Sequence, residues 1–322
     1  MRKVKTRKSI KKEDYEDLIY YKLKSSRFKQ QRLPAWRPVP TLLSIIIFYI
    51  LFAIIFITLG IIILIFSGKI VSQEIPYNGL CENMDECSMN INIEENMKAP
   101  IMVYYKLKGF YQNHRRYIKS KSQNQLSGKS SDTGDCGPIY KNEDLGLGSD
   151  IIAADGKTIL KPTDNAIPCG LMAKTYFNDS FDNWAIDGEN IEVNKNNIAF
   201  DKDKELFKNI DLSKQWKNME EEDFIVWMRP AGLPNFRKLW GRIEKDLKKR
   251  ATLQFTIKNK YKVEHYNGNK TIILSTTNKF GGKNFFMGVC FIVIGIISLV
   301  LGFAFPLLIY QRNKNESLKK NI

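Results

Sequence analysis

The sequence predicts a membrane protein with two transmembrane α-helices and a large, mainly antiparallel β-sandwich ectodomain carrying helical and loop insertions. Three observations predict it. Two long apolar blocks frame the chain, a strand-period segment lies between them, and most cysteines and glycan acceptor sites fall in that same interval. With 43% apolar and 12% aromatic residues among 322, the chain can build a core and is not disordered. Fifty Lys and Arg against 34 Asp and Glu give a net charge of +16, which excludes an acidic, halophilic type.

Residues 1–40 form a basic segment with thirteen Lys or Arg and four Asp or Glu. Residues 41–66 follow, 26 positions without Asp, Glu, Lys, Arg or His, and residues 285–310 are another 26 without any of them. About 20 apolar residues cross a bilayer core, so both blocks can span it. The first begins too far in and is too long for a cleaved signal, and reads as a retained anchor. Two spans place both termini on one side, with residues 67–284 on the other. Twelve of the sixteen net positive charges sit in residues 1–40 and 311–322, and short Lys/Arg-rich flanks stay cytosolic. That charge also permits contact with anionic lipids of the cytosolic leaflet.

The loop then faces an oxidising, extracytoplasmic space. It holds Cys81, Cys87, Cys136 and Cys169, while Cys290 lies inside the second span as a small packing residue. Four cysteines allow three pairings; proximity favours Cys81 with Cys87 and leaves Cys136 with Cys169. Glycan acceptors are Asn178 (Asn-Asp-Ser) and Asn269 (Asn-Lys-Thr); Asn315 starts a third triplet in the cytosolic tail, where it stays bare.

Within the loop, Leu253, Phe255, Ile257, Tyr261 and Val263 alternate with polar residues, a strand pattern. Asn267-Gly268 reads as a tight turn and Thr271–Ser275 as a returning strand. Phe236, Leu239, Trp240, Ile243 and Leu247 follow helical spacing after Pro234, which predicts a helix. Residues 117–150, rich in Ser, Gly, Asn, Asp and Lys, read as surface loop.

No catalytic constellation emerges. Gly156-Lys157-Thr158 lacks the earlier glycine of a phosphate loop, since Ile151 stands there, and Gly146-Leu-Gly148 lacks its third glycine. Only His114 and His265 are available to a triad. The run Glu220 to Asp223 reads as a solvated loop or a helix start. No catalytic residue, cofactor site or metal site is assigned.

Five longer motifs carry a resemblance: FKQQRLPAWRP (28–38), FYQNHRRY (110–117), PCGLMAKTYFND (168–179), VWMRPAGLPNFRKLW (226–240) and IILSTTNKFGGKN (272–284). In this order, between two spans, they closely resemble the CDC-fifty/ligand-effect-modulator family, over residues 28 to 310. The resemblance implies a non-catalytic β subunit of a type IV P-type ATPase, a phospholipid flippase. It implies a hetero-dimer that leaves the endoplasmic reticulum with the ATPase, stabilises its working conformations, acts in Golgi, endosomal or plasma membrane, and binds no nucleic acid. Departures are Phe200 where the family often has tryptophan, Lys279 and Phe285 beside the last motif, and a single short cysteine pair, Cys81 and Cys87, instead of a nested double one.

Each motif has two readings. FYQNHRRY would present His114, Arg115 and Arg116 to the ATPase, or would bury its aromatics with both arginines bonded to carbonyls. Trp36 and Arg37 suit the membrane interface and, in so long a motif, a cytosolic partner contact. PCGLMAKTYFND reads as disulfide scaffolding at the Gly170 turn, and VWMRPAGLPNFRKLW as a joint between a strand and the predicted helix. Gly288, Gly295 and Gly302 recur every seven residues on one helix face, where a neighbouring helix can approach closely. That neighbour is the other span or a helix of the ATPase. The rival classes are a two-span ligand-gated channel subunit and a membrane-anchored ectoenzyme; the first lacks polar pore-lining residues here, the second a reacting site.

Overall fold

A computed structural model of the chain describes residues 19–22, 24, 26–33, 41–148, 150–278 and 281–320. Among the described residues two helices are long and apolar enough to cross a membrane: Leu42–Gly68, and Phe285–Asn315 within a helix that runs on to Lys320. The chain forms two compact units, residues 1–56 with 294–322, and residues 57–293.

The larger unit carries eleven strands among the described residues. They are β1 (Ser72–Pro76), β2 (Glu86–Asn92), β3 (Ile101–Lys108), β4 (Ile151–Ile152), β5 (Ile159–Leu160), β6 (Ser180–Ile186), β7 (Glu189–Asn190), β8 (Val193–Asn194), β9 (Phe236–Ile243), β10 (Thr252–Lys258) and β11 (Asn269–Thr276). One sheet runs β1-β11-β3-β9-β8, a second β2-β10-β6-β7, and β4 pairs with β5, every pairing antiparallel. Side chains alternate as a pleat requires: Ile101, Val103, Tyr105 and Leu107 of β3 are buried, whereas Met102, Tyr104 and Lys106 are more open. The sheets share one core. Phe181 of β6 meets Trp240 of β9 at a ring separation of 4.9 Å, and Trp184 stacks on Phe255 of β10 at 4.4 Å.

Three expectations need correction. Asn267-Gly268 does not close a hairpin. β10 pairs with β2 and β6, and β11 with β1 and β3, so residues 259–268 cross from one sheet to the other with Tyr261 and Val263 buried on the way. The helix expected over Phe236–Leu247 is strand β9. A register shift opposite Val103 and Tyr104 changes the phase of β9, so buried positions run 236, 238, 240, 241, 243, and the apolar ones among them mimic a 3.6-residue period. The buried residue at 238 is a lysine, which hid the strand further. Consequently the VWMRPAGLPNFRKLW motif joins a helix, Glu222–Met228, to a strand, the reverse of the expected order.

Residues 117–150 are not merely surface loop either. Helices Arg115–Lys119 and Gln123–Leu126 place Tyr117 and Leu126 in the main core, and a 3-10 turn at Asn142–Leu145 places Leu145 in a small second core with Cys136, Ile139, Ile151, Leu160 and Cys169. The polar composition misled because buried side-chain amides do the work of secondary structure there. Fully buried Gln125 donates to Ala166 O at 3.2 Å and accepts from Cys169 N at 2.9 Å. The cysteines pair as Cys81–Cys87 and Cys136–Cys169, with Cys290 free.

Polar loop residues finish the ends of both long helices. Asn284 Oδ1 accepts from Met287 N at 3.1 Å, an N-cap on the second helix worth about 1 kcal/mol. Asn284 N donates to Ser67 Oγ at 2.8 Å, and Asn278 Nδ2 to the Phe66 carbonyl at 2.8 Å, one of the last carbonyls of the first helix.

Candidate functional site

Three of the long sequence motifs converge in the β domain. The helix Glu222–Met228 starts on the acidic run, and Glu222 accepts from Asn197 N and Ala199 N, each at 2.9 Å. At its other end the helix leaves carbonyls without internal partners. Lys238, ten residues on and nearly inaccessible, meets them: its Nζ donates to Val226 O at 2.9 Å, Trp227 O at 2.6 Å and Arg229 O at 2.6 Å. Three carbonyls match the three N–H donors of an ammonium, and the negative end of the helix dipole favours the charge. Burial pushes its pKa down to about 7, assisted by the nearby Arg229 charge. The motif is thus one closed unit, whose own lysine caps its own helix.

FYQNHRRY grips the same unit. Gly109 N donates to Asn235 Oδ1 at 3.1 Å and Phe110 N to Pro234 O at 3.1 Å. Buried Gln112 accepts from Ala231 N at 2.9 Å, and Asn113 Nδ2 donates to Gly232 O at 2.9 Å. Phe110 lies 5.7 Å from Trp227, 5.5 Å from Tyr117 and 5.3 Å from Tyr266. PCGLMAKTYFND closes the ring: Trp227 Nε1 donates to Met172 O at 2.7 Å, and Tyr117 OH bonds Thr175 Oγ1 at 2.8 Å. Gly170 is required at its place, with φ +97° and Ser120 O only 2.1 Å from where a Cβ would stand.

The last residue of that motif, Asp179, holds a second buried cation. Lys270 Nζ pairs with Asp179 Oδ2 at 2.7 Å, with the two side chains 1% and 0% exposed. It also donates to Tyr261 O at 2.6 Å and to Asn259 Oδ1. Asp179 accepts in addition from Tyr77 OH at 2.7 Å and Tyr261 N at 2.6 Å. Burial, with Asp179 next, holds the Tyr77 hydroxyl well above the usual tyrosine range. Asn259 Nδ2 in turn holds Cys81 O at 2.8 Å, tying the short disulfide loop to the network. Asp179 and Lys270 are the middle residues of the two glycan acceptor triplets. Both side chains are buried, whereas Asn178 and Asn269 are exposed.

The LEM3 (ligand-effect modulator 3) family / CDC50 family model matches residues 68–315. The chain belongs to the CDC50 family. It is 35% identical to "ALA-interacting subunit 3" of Arabidopsis thaliana, covering 88% of this chain and 85% of that protein. It is 33% identical to "Cell cycle control protein 50A" of Bos taurus, over 91% and 90% of the two chains. With "Cell cycle control protein 50B" of Homo sapiens it shares 29%, over 91% and 94%. The CDC50 match takes in residues 110–117, 168–179 and 226–240, so the interlocked unit lies wholly inside the family region. The chain is an integral membrane protein.

In this CDC50 chain the named candidates are distributed as follows. His114, Arg115 and Arg116 are exposed, with Tyr111 beside them, while Tyr117 points inward. Among the described residues neither arginine side chain bonds a carbonyl. Trp36 and Arg37 lie outside the described residues. Gly288, Gly295 and Gly302 are all buried. A Cβ at Gly288 would stand 2.7 Å from Leu64 Cδ2 and 3.2 Å from Gly60 O, and one at Gly60 2.9 Å from Gly288 O. A Cβ at Gly302 would meet Tyr49 Cβ at 3.2 Å. At Gly288 and Gly302 the neighbour is therefore the chain's own first helix. Gly156-Lys157-Thr158 is the turn between β4 and β5, where Asp155 accepts from Lys157 N and Thr158 N at 2.9 Å. Sequence reading missed Lys238, Gln112, Asp179 and Lys270. The signal available for Lys238 was its place inside a long motif, and for Asp179 and Lys270 their shared position in two triplets.

Proposed function

We propose that this chain is the non-catalytic β subunit of a phospholipid flippase, paired one to one with a type IV P-type ATPase. It escorts that ATPase out of the endoplasmic reticulum and stabilises its working conformations. The reading rests on family membership over residues 68–315, the β domain and the second long helix, supported by a relative named for interacting with ALA. Both termini are cytosolic and residues 67–284 luminal or extracellular, as the basic ends require. Trp36 and Arg37 then contact the ATPase at the cytosolic interface. The exposed His114, Arg115 and Arg116 contact it on the other side, held rigidly because the rest of their motif is locked to residues 231–235. Gly288, Gly295 and Gly302 keep the helix pair close-packed, which is the form in which it meets the ATPase.

Isolation of the tagged chain from mild detergent, followed by mass spectrometry, tests this. A multi-span ATPase in about equal amount is expected, and Arg115→Glu with Arg116→Glu should lower its recovery while expression stays normal. A homotrimer would support the channel class, and an isolated chain with hydrolytic activity the ectoenzyme class. Glycans on Asn178 or Asn269, and none on Asn315, are expected in cells; occupancy of Asn315 would reverse the orientation.

A further inference from the structure

Beside Asn178 lies a cavity of about 250 Å³, lined by this asparagine, Tyr176, Lys195, Lys217, Asp223 and Trp240 among others. Its walls combine aromatic faces with donors and acceptors, the pattern of small-ligand sites. Two cations, Lys195 and Lys217, stand there against two carboxylates, Asp223 and the adjoining Glu221. Tyr176 OH donates to Asp223, while Lys217 pairs with Glu221 and stands 3.7 Å from Asp223 and 4.4 Å from the centre of the Tyr176 ring. A neutral ligand therefore suits the cavity better than an ion. Lys195 holds its ammonium 4.0 Å from the centre of the Trp240 ring and, among the described residues, makes no hydrogen bond or ion pair. Its N–H groups remain available to hydroxyl or amide oxygens. A pyranose ring has an apolar C–H face and a hydroxyl rim, which is what aromatic walls with a mixed polar margin accept. Asn178 is exposed at this cavity because Asp179, next to it, is drawn inward by Lys270.

We propose that this cavity seats the first N-acetylglucosamine of the glycan on Asn178, making that sugar a structural strut of the β domain. Attachment to Asn178 makes the encounter intramolecular, so the sugar binds at a high effective concentration without a separate association cost. The cavity exists only in the folded chain, so occupancy stabilises the fold. The proposal rests on the luminal placement of residues 67–284.

The test uses the full-length chain carrying Asn269→Gln, made in cells that attach only high-mannose glycans. Endoglycosidase H trims the Asn178 glycan to one N-acetylglucosamine; peptide-N-glycosidase F removes it entirely and leaves aspartate, for which unglycosylated Asn178→Asp is the control. The single-sugar form should unfold at the same temperature as the untrimmed protein. The sugar-free form and the control should unfold about 2–4 °C lower, the shift that a modest contribution gives in a domain of this size. Lys195→Ala should shrink the gap between the single-sugar and sugar-free forms. Equal midpoints for these two forms, or a gap unchanged by Lys195→Ala, would overturn the proposal. In the unmutated chain, Asn269 occupied with Asn178 bare would overturn the proposal and leave the topology standing. Occupancy of Asn315 would overturn both.

Discussion

Two lysines are buried in the same β domain, and their surroundings differ. Lys270 has a counter-charge, Asp179 at 2.7 Å, inside a network that also uses Asn259, Tyr261 and Tyr77. Lys238 has none among the described residues. It has three carbonyls at the end of one short helix, and aromatic rings of Trp227 and Phe236 at 5.1 and 5.5 Å. The first arrangement joins distant segments: Asp179 precedes β6, Lys270 lies in β11, and Asn259 reaches the Cys81–Cys87 loop. The second closes a local unit within one motif. A buried cation tolerated by full charge pairing is thus a long-range cross-link, and one tolerated by peptide dipoles is a cap. Removing partners from each should have unequal effects.

The largest effect is expected from Asp179→Asn, which retains the glycan acceptor triplet. It leaves the Lys270 charge buried without a counter-charge, at a loss of about 3–5 kcal/mol. Thermal unfolding of the purified chain measures this, and an unchanged midpoint would break the comparison. Lys238→Met should cost less, about 1–3 kcal/mol, because methionine keeps the apolar stem but leaves the helix-end carbonyls unpaired. If it equals or exceeds Asp179→Asn, the cap is as important as the cross-link. Adding Lys270→Met to Asp179→Asn should recover roughly 1–2 kcal/mol, since no charge then stays buried, and a double-mutant cycle reads this coupling.

A separate test of the Lys238 cap is a slope with pH. Burial holds Lys238 at about 7 in the folded domain, against about 10.4 for lysine in an unfolded chain. Between these values the unfolded chain binds the proton that the fold releases, so this group makes stability rise with pH from about 7 to about 10. Below 7 both states are protonated and its contribution is flat. Lys238→Met should remove that component of the slope, and identical pH profiles for the two proteins would show that Lys238 stays charged throughout.

Much of the architecture was legible beforehand, because its signals are local. The two helices follow from uninterrupted apolar runs, β10 from strict alternation, and the family from long unbroken motifs. Where the reading went wrong, a distant partner had altered a local pattern. β9 resembled a helix because a shift against β3 changed its phase and because a lysine occupies an inward position. Asn267-Gly268 resembled a hairpin turn, yet the strands on either side belong to different sheets. Residues 117–150 resembled an unstructured surface because Gln125 and Ser120, both polar, are the residues that hold the buried backbone around the Cys136–Cys169 bridge.

By itself, then, the sequence determined the membrane spans, the strand content, the cysteine pairs favoured by proximity and the family, since hydrophobic runs, periodicity and motif order need no knowledge of neighbours. Only the tertiary structure decided which sheet each strand joins, that Lys238 caps the helix of its own motif, that the middle residues of two glycan triplets form one buried ion pair, and that Gly288 and Gly302 face the chain's own first helix. The physical reason is that burying a charge or a bare backbone is favourable only when a partner from elsewhere in the chain arrives at bonding or contact distance, and sequence separation carries no record of that arrival.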